Sequence, residues 1–198
     1  MTWLHFPIGV VFLLITTQCS KGLEEPPVSS KSSSQVVAAS SASGGLFFSA
    51  PEEWIEETPS SSMRQAQYRL PRAENDLEDG ELVVFHFPGQ GGSVQANISR
   101  WVKQFSRDDG TPAGDSAKIT SQDANGITLT LVEVAGTYRP SSGPMMQSGS
   151  PKPGYLMLAV IAETTSGPWF FKLTGPQGTI EKWRKDFLIF LNTIQHRP

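Results

Sequence analysis

One cysteine, Cys19, stands in the 198-residue chain, so no intrachain disulfide can staple the fold and stability has to come from burial. Histidine is nearly as scarce, with His5, His86 and His196 the full set. Zinc wants clustered His and Cys ligands, and a nucleophilic hydrolase wants an imidazole held beside a Ser or Cys, so neither chemistry is expected. There is also no G-x-S-x-G elbow and no glycine loop ending in Gly-Lys-Ser/Thr. Charge of one sign is missing too. Sixteen Lys and Arg stand against 19 Asp and Glu, for a formal −3, and no basic stripe with interleaved aromatics offers a nucleic-acid surface. No catalytic residue, cofactor or metal follows from these patterns, and the reading leans away from an enzyme.

What is present begins with an apolar run, Trp3 to Ile15 (WLHFPIGVVFLLI). Its 13 residues match the core of a signal peptide better than the ~20 needed to span a bilayer. Cys19 follows directly, and a lone thiol at that place predicts acylation after cleavage, with residues 1–19 as signal peptide and the lipid as membrane anchor. Thr16, Thr17 and Gln18 depart from the aliphatic and small residues that normally precede a lipidated cysteine, and the first residues lack Lys and Arg. Residues 20–45, with SSKSSSQVVAASSASGG at their heart, cannot bury enough surface to fold and read as a disordered spacer. As a flexible coil it reaches ~25–30 Å. The expected location is the cell envelope, on the periplasmic or outer surface, with a possible envelope protein as partner.

Residues 46–198 read as one domain whose core draws on its many aromatics. Strands are expected at Leu46 to Ser49, Met63 to Leu70 and Glu81 to Phe87, the last two forming a hairpin across an acidic turn, AENDLEDG. Ser93 caps a helix in which Val94, Ile98, Trp101, Val102 and Phe105 recur at helical spacing. Ile119 to Asp123 and Ile127 to Tyr138 flank Asn125-Gly126, a strong hairpin signal. Tyr155 to Thr164 and Trp169 to Thr174 form another hairpin, and Gln177 to Ile194 a final amphipathic helix. Without a repeated βαβ unit, the class is α+β: an antiparallel sheet flanked by two main helices.

That element order resembles the PsbP and Mog1-like α/β/α sandwich, a resemblance that implies a protein-binding rather than a catalytic domain. The stretches APEEW (Ala50 to Trp54), SSSMRQAQYRLP (Ser60 to Pro71), NISRWVKQF (Asn97 to Phe105), PKPGYLMLAVI (Pro151 to Ile161) and WFFKLTGP (Trp169 to Pro176) are similar to a family of uncharacterised exported bacterial proteins, often predicted lipoproteins. It implies location and fold, and carries no activity.

Several motifs admit chemistry but read more simply. His86, on a strand, falls opposite Phe85 and Phe87 and is taken as structural. Gly89 to Ser93 could present backbone N–H groups to an anion but reads as a tight strand-to-helix connection. Asp76, Glu78 and Asp79 do not follow a calcium-loop pattern and read as a solvated turn. Candidates for a binding surface are Arg64 beside the hydroxyls of Ser60 to Ser62, the soft pair Met145 and Met146 in the long loop 139–154, and Lys152 and Tyr155 at that loop's exit. The leading expectation is a tethered, non-catalytic binding or assembly module. The alternative is a small-ligand carrier or enzyme with its site under the 139–154 loop, which converging charged groups in a pocket would favour.

Overall fold

The most continuously apolar stretches of the sequence, YLMLAVIA and WFF, lie in the middle of an antiparallel sheet. A computed structural model describes residues 45–89, 91–140 and 149–197. Along the chain run β1 (Leu46–Phe47), β2 (Ile55–Glu56), β3 (Arg64–Leu70), β4 (Gly80–His86), α1 (Val94–Val102), β5 (Phe105–Ser106), β6 (Lys118–Ala124), β7 (Ile127–Tyr138), β8 (Lys152–Glu163), β9 (Trp169–Pro176), α2 (Gln177–Asn192) and β10 (Gln195–His196). The main sheet has the order β2-β3-β4-β9-β8-β7-β5, with β6 also pairing β7, and every pairing is antiparallel. With its two helices this is the α+β layout that the pattern of hairpins predicts.

Strand β8 explains why alternation fades in YLMLAVIA. Residues Tyr155 to Ala162 are buried without a break, because a central strand covered on both faces needs apolar side chains on both. On one face, Leu82, Leu173 and Leu158 stand side by side across β4, β9 and β8. The 16-residue α2 covers this face with Ile180, Trp183, Phe187, Phe190 and Leu191. Phe48, Trp54 and Phe171 close on Phe190 at ring separations of 5.6, 5.3 and 5.8 Å. Edge-on and tilted ring pairs of this kind add about 0.5–1.5 kcal/mol each beyond their buried area.

The opposite face carries α1, which is nine residues and about 13 Å long. Ser93 caps it as expected, its hydroxyl accepting from the Ala96 N–H at 3.2 Å. The helix stops at Val102, short of Phe105. Phe105 instead sits in β5, opposite Tyr138, with their rings stacked at 4.9 Å. It remains buried, so the helical spacing of Phe105 coincides with a sheet contact that takes precedence. Gly136 makes this possible: its φ is +145°, and a Cβ there would lie 2.3 Å from the Ser106 carbonyl oxygen.

The Asn125-Gly126 turn is realised with φ of 53° and 77°, the left-handed pair that a tight hairpin requires. The first and last strands, β1 and β10, pair in a separate two-stranded ribbon. Cys19, the expected signal peptide and all of the expected spacer but Gly45, along with Met145 and Met146, lie outside the described residues.

Candidate functional site

Strand register decides which side chains meet on the α1 face. Val83 of β4, Lys172 of β9 and Ala159 of β8 form one row, and Glu81, Thr174 and Met157 the next. The short α1 and the segment after it roof the apolar part of this face, where Ile98, Trp101 and Phe105 join Val132, Met157 and Phe170. Beside that roof lies a cleft of about 430 Å³. Its floor is Val83, Phe85, Lys172 and Thr174; Arg64, Glu81 and the turn residues Glu78 and Asp79 stand on one side, and Tyr138, Pro140, Lys152 and Tyr155 on the other. The volume falls in the range of small-molecule sites.

Three of the five expected binding residues thus converge here from two strands, Arg64 from β3 and Lys152 and Tyr155 from β8. Their partners differ from those expected. Arg64 turns to Glu81 at 2.8 Å and Gln67 at 2.7 Å rather than to the serine hydroxyls. The acidic turn is not merely solvated, because Asp76, Glu78 and Asp79 all have partners. Tyr155 donates to Glu78 at 2.7 Å, and Lys152 pairs with the same carboxylate. Asp79 accepts from the Arg72 N–H at 2.8 Å and from the Arg69 guanidinium at 3.0 Å. Asp76 accepts from the Thr179 hydroxyl at 2.6 Å, tying the turn to the start of α2.

Electrostatics follow from these contacts. Hydrogen bonds from Lys152 and then Tyr155 hold Glu78 below the usual carboxylate range. The Arg72 backbone and then Arg69 do the same for Asp79. Burial, with Glu81 nearby, pushes the Tyr138 phenol up to about 12, so it keeps its proton at neutral pH. Lys172 is the exception among the cleft's cations. Its Nζ donates to Gln104 Oε1 at 2.7 Å and to Tyr138 Oη at 3.3 Å, both neutral groups. No carboxylate of the described residues lies within ion-pair distance of it. Burial pulls its amine down to about 8, against the raising pull of Glu81.

Lys172 and Tyr138 are functional candidates that sequence reasoning passed over. A signal existed for the first: Lys172 interrupts WFFKLT, an otherwise apolar run on a central strand, and lysine is seldom buried there without a partner. His86 lies on the other face, stacked on Trp169 at 4.3 Å, with burial lowering its proton affinity. It takes no part in the cleft. Among the described residues no group of three His, Cys, Asp or Glu side chains is placed to hold a metal ion, and no helix is long and apolar enough to cross a membrane.

No protein-family model matches the sequence, and no curated protein matches it significantly. Among solved structures the chain is similar to cyanobacterial PsbP (CyanoP) from Synechocystis sp. PCC 6803, at a TM-score of 0.46 and 13% identity over 77% of this chain and 87% of that one. It is also similar to PA94 of Pseudomonas aeruginosa, a protein of unknown function titled a putative regulator, at a TM-score of 0.43 and 15% identity over 76% and 90% of the two chains. The likeness is one of fold, and no ligand or partner is transferred from it.

Proposed function

We propose that this chain is an exported bacterial lipoprotein, tethered through Cys19, whose folded domain is a non-catalytic module binding a small ligand in the charged cleft. The observation that carries the binding half is the convergence of Arg64, Lys152, Tyr155 and Lys172 on one recess of molecular size. Recesses of this volume with convergent polar groups are a usual form of small-molecule sites. This favours the ligand-carrier form of the reading over a flat assembly surface, because the charged groups face one another across a hollow. The tether half rests on the apolar run, the lone cysteine and the Ser-rich spacer.

Two measurements test the two halves separately. Mass spectrometry of the mature N-terminus is expected to find an acylated Cys19, whereas an N-terminus downstream of it overturns the tether. Amide chemical-shift mapping of the protein against a small-fragment collection is expected to concentrate responses at Glu81, Tyr155 and Lys172. Responses confined to other surfaces overturn the cleft as the binding site.

A further inference from the structure

Taking the cleft as a ligand site, we infer that it is built for a small monocarboxylate, held by Lys172 Nζ and the Tyr138 hydroxyl. This deepens the binding reading above by naming the class of ligand.

The charge pattern of the walls comes first. Arg64 is matched by Glu81, Lys152 by Glu78, and Asp79 by Arg69. Lys172 is left with one positive charge and neutral partners only. A lysine ammonium has three N–H donors, and Gln104 and Tyr138 account for two of them. Tyr138 accepts from Lys172 through its oxygen, so its own O–H remains free to donate, and no acceptor among the described residues takes it. One N–H and one O–H, on heavy atoms 3.3 Å apart, therefore border the same hollow. That spacing suits the two oxygens of a single carboxylate.

The size of the charge narrows the class. One cation without an ion-pair partner is matched by one negative charge, and Glu78, Asp79 and Glu81 on the cleft's wall disfavour a second. A phosphate dianion is therefore the weaker fit, and a cationic ligand would meet Lys172 as a like charge. Val83, Phe85 and Pro140 in the lining offer apolar contact to a short carbon chain.

Butyrate, inorganic phosphate and butylamine, titrated separately into the full chain and followed by amide chemical shifts, test the inference. Butyrate is expected to shift the Lys172 and Tyr138 amides saturably and more tightly than the other two. Lys172→Met is expected to weaken butyrate at least tenfold, and Tyr138→Phe, which keeps the amine, by a few-fold. Equal or tighter binding of phosphate or butylamine overturns the inference, as does an unchanged butyrate affinity in Lys172→Met. If fragments of other classes still map to the cleft in that case, the binding reading stands and only the carboxylate assignment falls. A failure of every probe and fragment to reach the cleft removes both.

Discussion

The two faces of the sheet are built on opposite principles. Beneath α2, a helix of 16 residues and about 24 Å lays six buried side chains across an apolar surface. Beneath α1, nine residues suffice to roof only part of the face, around Val132, Met157 and Phe170. The remainder is faced by six charged side chains and two tyrosines. The difference teaches that helix length apportions labour here: where the helix runs long the face is packed for stability, and where it stops short the strands can carry polar groups into a recess. The covered face also holds its ion pairs at the margin, as where Arg184 of α2 reaches Glu133 at 2.8 Å and Glu181 at 2.6 Å.

The sharpest way to break this contrast is to remove a ring from the covered face. Phe190→Ala is expected to cost about 3–5 kcal/mol, read as a lowered urea midpoint, because Phe48, Trp54, Phe171 and Phe187 all lose a neighbour. A loss under about 1 kcal/mol would mean that the face is not the stabilising one.

On the cleft face the sign is expected to reverse. Lys172 carries an amine that burial lowers from 10.5 to about 8. The unfolded chain therefore holds more protons between those values, and stability rises with pH across that window. Below about 8 the full cost of the buried charge is present, with Arg100 adding to it and Glu81 offsetting part. Lys172→Met should accordingly stabilise the protein at pH 7 by about 1–3 kcal/mol, and the advantage should shrink as pH rises toward 10.5. Urea midpoints at neutral and alkaline pH check both the sign and the window. A lysine that destabilises the fold would be kept for what it binds.

The smallest effect is expected at the cleft rim. Glu78 is half exposed, with 52% of its side chain open, so Glu78→Gln should cost less than about 1 kcal/mol at neutral pH. Its folded carboxyl titrates below the usual 4.5. The contribution is therefore present above that value and disappears as acid protonates the folded group, and thermal melts at descending pH should bring the variant and the parent together.

Local signals in the sequence were reliable where one residue decides the geometry. Ser93 announces the start of α1, Asn125-Gly126 the β6–β7 hairpin, and ELVVFHF a strand. Contacts between distant segments were not visible, because two-residue strands carry no periodicity. The pairings β1–β10, β2–β3 and β5–β7 are of this kind, and the last takes Phe105 out of its expected helix. The site divides the same way. Lys152 and Tyr155 were legible from the loop they follow, whereas Glu81, Tyr138 and Lys172 become a set only once the strands are laid side by side. The acidic turn reads as solvent-facing from composition alone, since nothing local marks Tyr155 and Thr179 as its hydrogen-bond donors.

The β1–β10 ribbon has a consequence for how the domain can be handled. Leu46 lies opposite His196, and the Arg197 N–H donates to the Gly45 carbonyl at 2.9 Å. The domain's point of entry and its last described residues are therefore neighbours, so a bridge of a few residues could join them into a ring. Cutting that ring at the exposed Asn125-Gly126 turn would give a circularly permuted chain with the cleft and both faces of the sheet intact.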